Sequence, residues 1–116
     1  MQTGRWASPT RCGLTRSGHR LEVSGEIDEA NANALGTHLG EALDDGVTVV
    51  DLTAVTFFSA AGVRMLLEVG RGAAVAVRVC CSPQVWRILD VCGVPAVDGL
   101  VLEPPPNHLP VEGAVS

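Results

Sequence analysis

Lysine and tyrosine are both missing from this chain of 116 residues, and all eight of its basic residues are arginines. Without lysine there is no Walker-type phosphate loop and no amine for Schiff-base chemistry. The arginines (Arg5, Arg11, Arg16, Arg20, Arg64, Arg71, Arg78 and Arg87) are scattered, and the net charge is −5. No basic stripe is available to follow a phosphate backbone, which argues against nucleic acid as a partner. No apolar run approaches the ~18 residues needed to cross a bilayer, so membrane insertion is not expected. Arg5 is followed by no apolar stretch, which removes a secretory signal and leaves a cytoplasmic location as the expectation. C-x-x-C spacing is also lacking among Cys12, Cys80, Cys81 and Cys92. Neighbouring strand residues point to opposite faces, so Cys80 and Cys81 are poor co-ligands for one metal. They read as free, buried thiols in a reducing compartment, with no metal and no cofactor.

What is present is an apolar fraction of 47%, ordinary for one globular domain of this length. Residues 11–103 form the expected domain, 1–10 a flexible N-terminal arm, and 104–116 a proline-rich disordered tail. Cys12 and Leu14, then Leu21 and Val23, alternate with polar residues as two half-buried strands, joined through Arg16-Ser17-Gly18-His19. Gly25-Glu26-Ile27-Asp28 closes the second strand. Asp28 is the expected N-cap of a helix carrying Leu35, Leu39 and Leu43, which ends at Asp44-Asp45-Gly46.

The nearly continuous apolar run Val47–Leu52 has the composition of a strand covered on both faces, and a short polar connection follows it. The next helix buries Val63, Leu66, Leu67 and Gly70. Ala73 to Cys81 reads as a further central strand. Ser82-Pro83 starts a helix with Val85, Ile88, Leu89 and Cys92 on one stripe, stopped by Gly93-Val94-Pro95. Leu100-Val101-Leu102 forms a last short strand. The order is β-β-α-β-α-β-α-β, an α/β domain with a mixed sheet of four to five strands and crossover helices.

Catalysis finds little support. His19, His38 and His108 fall in a turn, on a helix and in the tail. The stretch Phe57-Phe58-Ser59-Ala60-Ala61 lacks the glycines of a nucleophile elbow, and no G-x-G-x-x-G occurs. The chain is read as a non-enzyme.

The most informative stretch is Val49-Val50-Asp51-Leu52-Thr53 with Phe57-Phe58-Ser59-Ala60-Ala61-Gly62-Val63. A strand leads into a small-residue turn that opens a helix, whose free N–H groups make a site ready for an anion. With Val23-Ser24-Gly25-Glu26-Ile27-Asp28 before it and Ser82-Pro83, Val85, Leu89 and Gly93 after it, the pattern resembles the STAS domain of bacterial anti-sigma factor antagonists. The resemblance covers roughly Leu14 to Leu102. In that family an aspartate-serine-serine/threonine-glycine sequence stands at this turn, and a kinase phosphorylates the serine two before the glycine. Here Gly62 fits the glycine, Ala60 takes the acceptor position, Ala61 the next, and Ser59 stands where the aspartate would be.

The resemblance implies a switch protein that binds an anti-sigma factor, a GHKL-type serine kinase, and releases a sigma factor. It is atypical, because Ala60 cannot be phosphorylated. Ser59 has two readings, a helix cap and a displaced phosphoacceptor. The partner-binding residues implied are Asp28, Phe58, Ser59, Ala60, Ala61, Gly62 and Arg64. One of Phe57 and Phe58 is expected in the core, the other facing a partner. Arg64 is expected on the exposed helix face, and Trp86 off the apolar stripe, either as an anchor or packed on the tail. Two further classes stand beside the antagonist. One is a STAS accessory subunit docking on the ATPase of a lipid-transporting ABC system. The other is a small ligand-binding or catalytic α/β domain with a polar pocket at the sheet's carboxyl edge.

Overall fold

Turn chemistry divides the chain much as its sequence suggests. The computed structural model describes residues 5–7, 12–94, 97 and 99–105. Strands β1 (Arg5–Ala7), β2 (Cys12–Ser17) and β3 (Arg20–Ile27) come first. Helix α1 (Ala32–Asp44), strand β4 (Val49–Phe58), helix α2 (Ala60–Gly72), strand β5 (Val77–Cys81), helix α3 (Pro83–Val91) and strand β6 (Leu100–Glu103) follow. From Cys12 onward this is the expected order β-β-α-β-α-β-α-β. Arg5–Ala7, expected in the flexible arm, instead adds a sixth strand, pairing antiparallel with β2. The expected disorder of the tail falls, beyond Pro105, outside the described residues.

The sheet order is β1-β2-β3-β4-β5-β6, with β1 to β3 antiparallel and β3 to β6 parallel. The parallel strands follow one another in sequence order, so every crossover steps the same way. Right-handed crossovers then place α1, α2 and α3 on one face of the sheet. The register agrees. Leu21, Val50, Val79 and Leu102 lie in one cross-strand row on the helix side, and Val50 and Val79 are fully buried. One residue along, Glu22, Asp51, Cys80 and Glu103 form the row on the opposite side. Among the described residues no helix covers that side. The expectation that Val47–Leu52 is covered on both faces is therefore corrected: the run is central, but its second face carries Val49, Asp51 and Thr53.

Charge completes that open face. Arg20 Nη2 lies 2.5 Å from Asp51 Oδ2, and the Thr53 hydroxyl and amide donate to Asp51 Oδ1 at 2.5 and 2.8 Å. Two strands away Arg78 grips Glu103 through two nitrogens, at 2.7 and 3.1 Å. Arg78, which interrupts the apolar run of β5, thus belongs to the face away from the helices. Burial pushes the thiols on the other side up, Cys12 to about 11 and Cys81 to about 12. Both remain protonated and inert at neutral pH. Cys92, expected on the buried stripe of α3, is exposed instead, because that helix ends one residue earlier.

β4 is longer than expected. Thr53 to Thr56, expected as a polar connection, do not form one; the strand continues through them to Phe58. The pairing of β4 with β3 shifts register twice, between Glu22 and Ser24 and between Gly25 and Glu26. Each shift inserts one residue on β4, so the buried positions run Leu52, Val55, Phe58, three apart rather than two. At the other end of the domain β5 begins at Val77, and Ala73 to Ala76, expected in that strand, form the connection from α2.

Burial by itself would raise the Asp51 pKa, but the Thr53 and Arg20 hydrogen bonds together hold it below the usual aspartate value. A folded-state pKa lowered in this way adds stability above ~3.9, the unfolded aspartate value, and that stability is lost as pH falls through the folded value. Asp51→Asn should therefore lower the urea midpoint at pH 7, and the difference from wild type should close as pH drops below the aspartate range. Equal midpoints at pH 7 would show that the pairing contributes nothing to the fold.

Candidate functional site

The two loops at the carboxyl end of β3 and β4 are drawn together by the sheet itself. Ile27 pairs with Phe58 in the last rung of the parallel ladder, and the Ser59 amide donates to the Ile27 carbonyl at 3.0 Å. The β3–α1 loop therefore lies beside the turn that opens α2. Glu29 from that loop reaches Arg64 on α2 at 3.6 Å, with both side chains well exposed, a pairing of small energetic weight.

The β3–α1 loop departs from its expected construction. Asp28 was the expected N-cap, but the helix starts at Ala32 and Asn31 holds the cap position. Asn31 is 1% exposed, and its amide group ties the turn in two directions. Its Oδ1 accepts from the Asp28 amide at 3.0 Å and its Nδ2 donates to the Glu26 carbonyl at 2.8 Å. Asp28 is half-buried, and its carboxylate accepts from the Ala30 amide at 2.9 Å. Asp28 thus shapes the loop that displays Glu29. Sequence reasoning missed Asn31, since an asparagine three residues after a better-known capping residue carries no pattern of its own.

At the second loop, Ser59 is the N-cap of α2, with extended backbone and its Oγ accepting from the Ala61 amide at 3.2 Å. Its carbonyl accepts from the Gly62 amide at 2.9 Å. The four leading amides of the helix are those of Ser59, Ala60, Ala61 and Gly62, and three of them are engaged within the chain. The expected anion-ready helix start is corrected accordingly. Ala60 is the first residue of the helix and is exposed, so the position expected to correspond to an acceptor serine lies on the surface.

Phe58 and Gly62 explain why this turn is rigid. Phe58 is 2% exposed and its ring lies over the first turn of α2. A methyl group on Gly62 would come within 2.6 Å of Phe58 Cε1, closer than carbon atoms approach. Glycine is needed here for space. Phe58, Ala61 and Gly62, expected among the partner-contact residues, are buried; Phe58 and Gly62 hold the turn, and Ala61 stands where α2 begins to line a groove. The exposed member of the aromatic pair is Phe57, at 51%, turned outward by the second register shift of β4. The exposed part of the site consists of Phe57, Ala60, Glu29 and Arg64, with Ser59 half-exposed at its centre. Trp86 is half-buried and packs against the core from α3.

Between α1 and α2 a solvent-open groove of about 550 Å³ starts at this surface and runs the length of both helices. Gly36, Gly40 and Gly72 lower its walls, Met65 contributes to its floor, and Glu29, Arg64, Glu68 and Asp44 line its rim. Among the described residues no group of three His, Cys, Asp or Glu side chains gathers in metal-binding geometry, and no helix is long and apolar enough to cross a membrane.

Three comparisons bear on this arrangement. A family model described as the Mlab STAS domain matches residues 11–102. Among solved structures, the chain is similar to an anti-sigma factor antagonist from Mycobacterium paratuberculosis. The two share 22% identity over 95% of this chain and 97% of that one, with a TM-score of 0.65. It is also similar to the anti-sigma factor antagonist SpoIIAA in its unphosphorylated form, with 19% identity over 90% and 92% of the two chains and a TM-score of 0.57. At these identities the likeness is one of fold. No curated protein matches the chain.

Two substitutions test the construction of the turn. Gly62→Ala should destabilise the fold by ~1–3 kcal/mol through overpacking against Phe58, read from urea unfolding. Ser59→Ala should cost ~1 kcal/mol as a lost cap. A Gly62→Ala protein as stable as wild type would mean that the Phe58 ring gives way freely and does not fix the turn.

Proposed function

We propose, from the premise that the chain belongs to the STAS domain family, that it is an anti-sigma factor antagonist lacking a phosphorylation switch. Its surface around Ala60 binds an anti-sigma factor of the GHKL serine-kinase type, and that binding frees the sigma factor. The observation that carries the reading is the exposed Ala60 methyl at the head of α2, on a turn locked by the Phe58 ring and the Ser59 cap. A rigid, preformed turn binds without an ordering cost. A methyl in place of a hydroxyl leaves a kinase nothing to modify there. The likeness to two solved antagonists supports this reading at the level of fold.

In a chain with a serine at this place, phosphorylation would add about −1.5 to −2 charges at pH 7. A partner fitted to the unmodified turn would be repelled by that charge. Ala60 removes this route of release. The protein then acts as a permanently competent antagonist, or as a competitor that occupies a kinase and is not switched off by it. It performs no chemistry and takes no cofactor; its work is binding. Ser59, whose Oγ is committed to the Ala61 amide, serves as the cap rather than as a displaced acceptor.

The reading is tested against the GHKL-type kinases encoded in the source genome, each purified and titrated with the chain. One of them should bind, and Ala60→Arg should weaken that binding more than about tenfold, ~1.4 kcal/mol, with the fold intact by circular dichroism. Unchanged affinity would place the interface elsewhere. Incubated with this kinase, ATP and magnesium, the chain should gain no phosphate by intact mass, whereas Ala60→Ser offers the missing hydroxyl. A phosphate on the wild-type chain that disappears in Ser59→Ala would overturn the permanent-antagonist reading. Binding to an ABC ATPase subunit, and to none of the kinases, would select the transporter-accessory reading instead.

A further inference from the structure

The groove between α1 and α2 is not explained by the turn alone. It begins where the turn ends, at Ala61, Arg64 and Glu29, and continues to Gly72 and Asp44 at the far ends of both helices. Twelve steps along α1 from Ala32 to Asp44 correspond to ~18 Å, the length of a partner helix of about three turns. Two helices packed in one layer leave a channel that a third helix can enter, and small residues on the walls allow its axis to come close.

Gly36 and Gly40 stand one helical turn apart on the same wall, and they differ. A methyl on Gly36 would meet Met65 Cγ at 3.0 Å, so that glycine belongs to the α1–α2 packing. A methyl on Gly40 would meet nothing within 4 Å. Glycine inside a helix weakens it, and no internal contact requires it at this position. Its effect is to leave the groove open.

Charge indicates what enters. The rim holds three carboxylates, Glu29, Asp44 and Glu68, and one guanidinium, Arg64, which is already paired with Glu29. All four side chains are exposed. The floor between them offers Met65, with the half-buried Leu43 and Val69 at the far end. A narrow apolar strip on the floor, between polar walls with Asn33 and Thr37 and an acidic rim, is complementary to a helix that has a small apolar ridge flanked by lysine or arginine.

We infer that the α1–α2 groove is the second half of the partner interface. In this assignment a basic amphipathic helix of the anti-sigma kinase lies along it, while the same kinase contacts the Ala60 turn. The inference rests on the antagonist reading above, and it adds the chemistry of the partner segment.

The experiment uses the full chain and the GHKL kinase that binds it, titrated by isothermal calorimetry at low and high salt. Gly40→Leu fills the groove without adding charge, and Glu68→Arg reverses charge on an exposed side chain without filling it. Each should weaken binding by about tenfold or more, and wild-type binding should weaken as salt rises. Gly40→Ala, which adds one methyl in open space, should unfold at a higher urea concentration. If Ala60→Arg abolishes binding while Gly40→Leu and Glu68→Arg bind as wild type, the groove is unused and the antagonist reading survives alone. Loss with the groove variants but not with Ala60→Arg would keep the groove and remove the turn. If no kinase binds the wild-type chain, both fall.

Discussion

The turn that opens α2 depends on one contact, the ring of Phe58 lying where a side chain on Gly62 would be. Phe58 is the last residue of β4 and Gly62 lies in the first turn of α2. Their contact fixes the angle at which the helix leaves the sheet, with only Ser59 between strand and helix. Once that angle is set, Ser59 can cap the helix, Ala60 must face outward, and Arg64 one turn later comes within reach of Glu29. A larger residue at position 62 would push the ring away or the helix outward, and the other placements depend on neither moving. The requirement is steric, so the glycine is tied to the phenylalanine rather than to an unusual backbone angle.

The sheet order determines where function can be placed. Because consecutive parallel strands step in one direction, the three helices share a face and the opposite face is left to side chains alone. That face is occupied by pairs that satisfy one another: Arg20 with Asp51, Arg78 with Glu103, and Thr53 on the remaining oxygen of Asp51. Asp51 is buried and keeps its charge, at the cost of desolvation, because three donors converge on it. A surface whose charges are already matched internally offers little to a partner. The helix side differs: Glu29, Glu68 and Asp44 leave an acidic excess along a channel. On the proposed reading, recognition therefore belongs to the α1–α2 side, next to the Ala60 turn.

How far the sequence could be read follows from the range of each signal. Local signals were legible. Ser82-Pro83 caps α3, with the Val85 amide donating to Ser82 Oγ, and Asp45-Gly46 ends α1 with Gly46 at a positive φ of 103°. The Ser59 cap and the division of Phe57 and Phe58 between surface and core were legible in the same way. Long-range pairing was not. The two register shifts of β4 depend on β3 lying beside it, and they carry the strand through Thr53 to Thr56, which resemble a loop by composition. They also decided which phenylalanine is buried. Asn31 displaced Asp28 as the cap position because only Asn31 can accept from one backbone amide and donate to the Glu26 carbonyl at once. Arg5–Ala7 is too short to show a period and forms a strand only because β2 offers an edge.

On the proposed reading, Ala60 changes how the protein can be regulated. A phosphorylated antagonist has two states and its partner is released by converting one into the other. This chain has one state at that position, so its occupancy of a kinase follows concentration and affinity alone. Restoring a hydroxyl there would not by itself rebuild a strong two-state switch. Three of the four leading amides of α2 are already satisfied, by Ser59 and by the β3 carbonyl of Ile27. A phosphate at position 60 would gain little from the helix start, and its effect would come mainly through repulsion from any acidic partner surface. The Ser59 cap and the missing hydroxyl therefore work in the same direction. Each favours a turn held in one conformation, always ready to bind, over one that alternates between a free and a modified form.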